Sequence, residues 1–342
     1  MRNFIVSDLH GNGFAYDSII NYLVNESLNS DEPITLYING DLIDRGIDSG
    51  SVLIDVYQKI HDTSFPFKIV YLGGNHELEM YKSYLETKDY TLKELFESYM
   101  GQRSLRWYDR NAGYLTARYL KKYYSKEKIS EVCEFIGDLD VYHIFDEAIN
   151  DKRILLTHAC AVTAMVNNLP LKINDDKTAT DVAVKATRKE RLGNRGVGNE
   201  NFFTIRGHEP VYNECGYEYY KDDNVLNIDG ASASFSYINT SYYHSKRLWT
   251  PIEDMYIPYE NYDEEVKEKL TKDSHVPLVE ILPDNKLRIL TFNHLNEIII
   301  GNYFEDYKST ILNSNELDKL RNNLIINDKV KRRVRKIPKD LY

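Results

Sequence analysis

The sequence predicts an α/β fold: a sandwich of two central β-sheets flanked by helices, with a helical insertion. Three observations carry this. Short apolar runs alternate with helically spaced segments through the first third of the chain. A mostly helical stretch follows, over residues 78–140. A series of apolar runs separated by polar turns then reads as a second, more antiparallel set of strands. Strand–helix–strand alternation is the pattern of a parallel sheet with helical crossovers.

The elements follow in order. NFIVSD reads as a buried strand, FAYDSIINYLVNESL as a helix, ITLYING as a strand, SGSVLIDVYQKIHD as a helix and FKIVYLGG as a third strand. In the insertion, YTLKELFESYM and SEVCEFIGDLD are the clearest helical pieces. VYHIFD and RILLTHA read as strands, and ATDVAVKATRKERL as a helix. FFTIRGH, YEYY, VLNIDG, LVEIL and KLRILTF complete the second set. The organisation expected is one domain over residues 1–342, with the insertion at about 78–140 and a C-terminal extension at about 305–342.

Composition narrows the function classes. With 42% hydrophobic and 28% charged residues, the 342-residue chain reads as a folded, soluble protein able to bury a substantial core. A net charge of −10 argues against a surface that binds nucleic acid or anionic membrane. The basic stretch KVKRRVRK, residues 329–336, reads first as a solvated helix end. The three cysteines, Cys133, Cys160 and Cys215, are too few and too widely spaced for a disulfide framework or a zinc knuckle, which favours a reducing cytoplasm. No apolar run approaches the ~20 residues that span a bilayer, and MRNFIVSDLHGNG lacks the form of a signal peptide. The 28 tyrosines are read as a composition bias, and no role is assigned to Trp107, Trp249, His61, His143, His244, His275 or His294.

The chemistry gathers at strand ends. SDLHGNG brings Asp8 and His10, NGDLIDRG brings Asp41, Asp44 and Arg45, and GGNHE brings Asn75, His76 and Glu77. His158 follows ILLT, and His208 follows FFTI. Ligands in such sheets bind at the carboxyl ends of the strands, so these loops should meet. Carboxylate, imidazole and amide oxygen together suit a divalent metal of the Mn, Fe or Zn type. In a D-x-H pair at a strand end, both side chains are expected on one face. Asp41 has two oxygens with which to bridge two ions, and two metals roughly 3.5–4 Å apart can activate a water for attack on phosphorus. Taken singly, each piece has a plain alternative. Asp8 and His10 could form a polar turn, Asn75 could cap a helix, Glu77 could complement a helix dipole, and a lone histidine beside a strand could be a core residue.

SDLHG, GDLIDRG and GGNHE, followed by THA at Thr157 and RGH at Arg206, resemble in order the motifs of the phosphoprotein phosphatase family of calcineurin-like metallophosphoesterases. The resemblance covers roughly residues 1–229 and implies that fold and a metal-dependent hydrolysis of phosphoesters. It implies Asp8, His10 and Asp41 as ligands of one ion, and Asp41, Asn75, His158 and His208 as ligands of the other. It implies His76 as the acid that protonates the leaving alkoxide, with Asp44 as its carboxylate partner; such a partner favours a charged imidazole. Arg45 would grip the phosphate, since its fork matches phosphate oxygens. A second phosphate-gripping arginine is expected between the later histidines, with Arg188 the first candidate and Arg195 the second. Manganese is the ion favoured; iron, zinc, nickel and cobalt suit the same ligands.

Three departures stand out. Ser7 replaces a usual glycine, Ala159-Cys160 follows His158, and NIDGASAS looks like the bacterial and phage members. The substrate expected is a phosphomonoester, foremost phosphoserine or phosphothreonine in a protein. The rival is a symmetrical dinucleoside tetraphosphate, whose hydrolases lack the aspartate of D-R-G and read G-N-H-D; a nucleotide or nucleic-acid end is a broader alternative. Asp44 and Glu77 favour the protein phosphatase.

Overall fold

The computed structural model describes residues 1–89, 107, 111–159, 161, 167–175, 200–233, 263–265, 267–268, 274–293, 297–305 and 308–325. YTLKELFESYM, the helix expected over residues 179–192, Arg188, Arg195, Cys160, Trp249, the basic stretch 329–336 and most of the tyrosine-rich segment 241–274 lie outside them.

The first 87 residues run β1 (Arg2–Val6), α1 (Gly13–Leu28), β2 (Ile34–Asn39), α2 (Ser49–His61), β3 (Lys68–Leu72) and α3 (Asn75–Thr87), as the alternation predicts. β1 pairs with β2 and β2 with β3, both parallel. These strands are buried on both faces, which is why they read as continuous apolar runs. Phe4 and Val6 of β1 and Leu36 and Ile38 of β2 face the core under the helices. Ile5 and Tyr37, between them in sequence, face a second core with Phe203, Ile205 and Leu226. Alternation along each strand thus feeds two apolar layers, one between sheet and helices and one between the sheets.

The helical region continues with α4 (Tyr114–Tyr123) and α5 (Lys126–Gly137), the latter capped by Ser125 Oγ accepting from the Lys128 amide. β4 (Tyr142–Ile149), β5 (Lys152–Thr157), β6 (Phe202–Arg206), β7 (Glu218–Tyr220) and β8 (Val225–Asn227) form a five-stranded sheet in the order β4-β5-β6-β8-β7.

The later strands correct the expectation of a separate antiparallel set. β9 (His275–Leu282) and β10 (Lys286–Asn293), which carry LVEIL and KLRILTF, join the first sheet, with β9 antiparallel to β1. The strands they were grouped with have a parallel centre, β5-β6-β8. β1 has two edges to satisfy and β2 fills only one; β9, buried almost throughout, supplies the other. β11 (Ile298–Glu305) and β12 (Lys308–Ile311) extend this sheet to the order β12-β11-β10-β9-β1-β2-β3. α6 (Ser314–Ile325) packs on α1 and β11. The molecule is therefore a pair of mixed sheets flanked by helices.

Candidate active site

All five loops singled out in the sequence converge at the carboxyl ends of β1, β2, β3, β5 and β6. Their backbone is unusual. Asp8, His10, Asp41, Asp44, Arg45 and His208 all have φ between 46° and 72°. Such left-handed conformations are uncommon for residues other than glycine and gather where a site over-determines them. This corrects the reason given for Asp8 and His10. β1 ends at Val6, so their side chains are aimed by left-handed turns and not by strand alternation. At Gly207 a Cβ would collide with the Asp8 carboxylate, so the chain before His208 can lie this close only without a side chain.

Asp41 stands at the centre and is buried. Its Oδ2 lies 3.6 Å from His10 Nε2 and 3.7 Å from His76 Nε2, while its Oδ1 lies 3.3 Å from His158 Nε2. The two oxygens thus face two separate imidazole groups, the arrangement of a bridging carboxylate. Among the described residues, two groups able to hold a metal ion result: His10, Asp41 and His76, and Asp41, His158 and His208. Around His158 Nε2, Asn75 Oδ1 stands at 3.1 Å and His208 Nδ1 at 3.3 Å. Four of the expected ligands therefore present donor atoms to one point. Asp8 sits further out in the first group, with Oδ1 3.9 Å from His10 Nε2, held by the Ser7 hydroxyl and the His208 amide.

Backbone carbonyls aim two of the rings. His158 Nδ1 faces Asn39 O at 3.0 Å, and His10 Nδ1 faces Ile43 O at 3.2 Å. Each ring then presents Nε2 inward, as metal-binding histidines require. Burial, followed by the charges of Arg45 and His76, holds His10 well below its ordinary range. Burial and His158 lower His208 to about 3. Both therefore offer a cation neutral imidazole lone pairs. Burial alone would lower His158, but the Asp41 and Asp8 carboxylates push it up to about 10. Burial alone would raise Asp41, but His158, His76 and His10 hold it well below the usual carboxylate range. The donor set fits divalent ions in number, type and inward aim.

His76 Nδ1 lies 2.7 Å from Asp44 Oδ2, both residues being buried. Arg45 spans the mouth of the first group, with Nη1 3.1 Å from His10 Nε2 and Nη2 3.1 Å from His76 Nε2.

The sequence reading missed several supports. Glu77 does sit in the first turn of α3, where its charge suits the helix start, but its use is wider: it is buried and accepts from the Asp41, Leu42 and Gly74 amides and the Tyr71 hydroxyl. It braces the loop that carries Asp41 against α3. Asn75 is the first residue of α3, and its side-chain oxygen turns to His158, not to a helix cap. Trp107 and Thr116 donate to Asp44, at 2.6 Å and 3.0 Å. Asp229, after β8, is buried near Asp8, and burial together with that carboxylate raises it well above its ordinary range. The only sequence signal for it was its place in a strand-end Asp-Gly.

A mixed-sheet sandwich with buried Asp and His donors converging at its strand ends makes a candidate metal-binding site. The calcineurin-like phosphoesterase family matches residues 1–320, and the chain belongs to that family: it is a metallophosphoesterase. No curated protein matches by sequence. Among solved structures, a cold-active protein-tyrosine phosphatase of a psychrophilic Shewanella species is 16% identical, with TM-score 0.41, covering 91% of this chain and 80% of its own. A serine/threonine phosphatase from Saccharomyces cerevisiae with similarity to human phosphatase PP5 is 14% identical, with TM-score 0.42 and coverage of 86% and 80%. A putative diadenosine tetraphosphatase is 12% identical, with TM-score 0.42 and coverage of 85% and 93%. Among the described residues, no helix is long and apolar enough to cross a membrane.

Proposed function

We propose that this protein hydrolyses phosphomonoesters, foremost phosphoserine and phosphothreonine in cytoplasmic proteins, with manganese as its working ion. One observation carries the reading: the His76–Asp44 pair and the Arg45 fork stand beside the carboxylate, Asp41, that joins both donor groups. In this reading Asp8, His10 and Asp41 hold one ion, and Asp41, Asn75, His158 and His208 hold the other. When bound, the two ions supply Lewis acidity and a nucleophilic water.

The chain's own residues do the rest. Arg45 swings its two Nη donors from the imidazoles to the phosphate oxygens, which suit its planar fork better. His76, held through Nδ1 by Asp44, turns Nε2 to the leaving oxygen and hands it a proton. A serine or threonine alkoxide is a poor leaving group, so a positioned acid supports alkyl phosphomonoesters in particular. Arg188, or failing it Arg195, is the proposed second grip on the phosphate.

The test strips the purified protein with chelator, restores Mn²⁺, and compares a phosphoserine peptide with diadenosine tetraphosphate. Metal-dependent phosphate release from the peptide with the dinucleotide intact is the expected result. Cleavage of the dinucleotide to two nucleoside diphosphates, with the peptide untouched, would move the protein to the nucleotide hydrolases.

A further inference from the structure

We infer that Trp107 and Thr116 are positioning residues for the acid step, so that the base of the helical region orients the acid as well as covering the fold. This rests on the reading of His76 as leaving-group acid. Neither residue carries a motif or belongs to the donor set of either metal group.

The observations meet at one carboxylate. Asp44 is fully buried at φ 71°, a conformation it holds only if its side chain is well fixed. Oδ2 accepts from His76 Nδ1 at 2.7 Å and from the Trp107 indole N–H at 2.6 Å. Oδ1 accepts from the Thr116 hydroxyl at 3.0 Å. The indole is in turn located by Gly113, at which any Cβ would strike the ring. The Gly113 amide donates to the Trp107 carbonyl at 3.1 Å. One residue further along the catalytic loop, the Arg45 amide donates to Asn111 O at 3.2 Å. Trp107, Asn111, Gly113 and Thr116 thus grip Asp44-Arg45 from one side.

The physical consequence is specific. A carboxylate that accepts from His76 alone can rotate, and the imidazole turns with it. With the indole on Oδ2 and the hydroxyl on Oδ1, the carboxylate plane is fixed, and so is the direction of His76 Nε2. Charge-assisted hydrogen bonds of this kind are the strong ones, and a small misdirection of a reacting atom is costly in rate. Neither donor belongs to the groups able to hold a metal, so removing them should misaim the acid and leave the ions in place.

Trp107→Phe and Thr116→Val remove the donors while keeping most of the volume. With Mn²⁺ loaded, kcat for an alkyl phosphate should fall about tenfold to a hundredfold, within the contribution of a general acid. kcat for an aryl phosphate with a good leaving group should fall less than about threefold, because its oxygen needs little protonation. Thr116→Ser should restore most of the loss. Independently of activity, one-dimensional proton NMR of the Zn²⁺-loaded protein should show the downfield His76 Nδ1–H signal, identified by its absence in His76→Asn. That signal should shift or broaden in both variants with metal content unchanged. Equal losses on the two substrates, or an unmoved Nδ1–H signal in a folded variant, would overturn the assignment. Should Trp107→Phe fail to fold, Thr116→Val with its serine rescue decides alone. If the parent cleaves neither ester, the phosphatase reading fails, and the Nδ1–H signal still tests the positioning.

Discussion

The two halves of the site are anchored in different ways. The half around His158 and His208 is fixed largely by main chain: Asn39 O aims His158, the His208 amide holds Asp8, and the Gly207 amide donates to His158 O. The half around His76 is fixed by side chains: Asp44, Trp107 and Thr116. Main-chain anchors cannot be removed by substituting a side chain, whereas side-chain anchors can. The half around His158 and His208 is therefore hard to alter without breaking the fold. The half around His76 can be altered by single side-chain substitutions.

The largest break of this contrast is Asp41→Asn, because Asp41 belongs to both halves. Losing its charge should cost most of the bound metal and at least about a thousandfold in rate, the equivalent of several kcal/mol. Metal analysis beside a phosphate-release assay measures both. Full metal content in that variant would remove Asp41 from the centre of the site.

His76→Asn should separate the halves. Metal content stays, while turnover of alkyl phosphates falls by about 10²–10⁴ and that of activated aryl phosphates by much less. Unchanged rates on both esters would sink His76 as the acid.

Glu77→Gln sharpens the comparison from below, since Glu77 steadies the loop the halves share. The amide group has to face one of the paired donors on either oxygen: Asp41 and Gly74 amides on one, the Leu42 amide and Tyr71 hydroxyl on the other. The expected cost is about 2–3 kcal/mol of stability, read by denaturant melts. A variant as stable as the parent would mean that the brace contributes nothing.

The smallest effect serves as a control on the helical region. Burial pushes the buried Cys133 thiol on α5 up to about 12. At pH 8 only about one thiol in ten thousand is then ionised, and the native protein should resist alkylation there until it unfolds. Rapid labelling of Cys133, mapped by mass spectrometry in the native state, would show that α5 opens readily.

Much of this was legible in sequence because the information is local. A buried strand followed by Gly-Asp, or by Gly-Asn-His, states both where the chain turns and what it presents. The partner of a strand is not local. LVEIL and KLRILTF read correctly as strands, yet nothing in them says that β1 is the neighbour of the first and that both belong to its sheet. Trp107 and Thr116 were illegible for the same reason. Their partner lies 63 and 72 residues away, and neither lies in a motif. What could have pointed to them is modest: a lone tryptophan in the polar run RSLRWYDRNAG, and a threonine in the first turn of the next helix. Glu77 illustrates a third limit, for its position was noticed while its use, four donors on one carboxylate, depended on Tyr71 and the Asp41 loop folding over it.

The place of β1 bears on how the chain is made. It is synthesised well before β9, yet it sits inside the seven-stranded sheet, between β2 and β9. β2 follows almost at once, whereas β9 begins only at His275, more than 200 residues later. At ordinary translation speeds the nascent chain carries an open β1 edge for on the order of tens of seconds. Unpaired edges of apolar strands invite wrong partners, so this interval is when the chain most needs shielding. A shorter delay, the 200 residues from Asp8 to His208, keeps Asp8 from the His208 amide, so free ions in the cell meet a finished centre only once that stretch has been made.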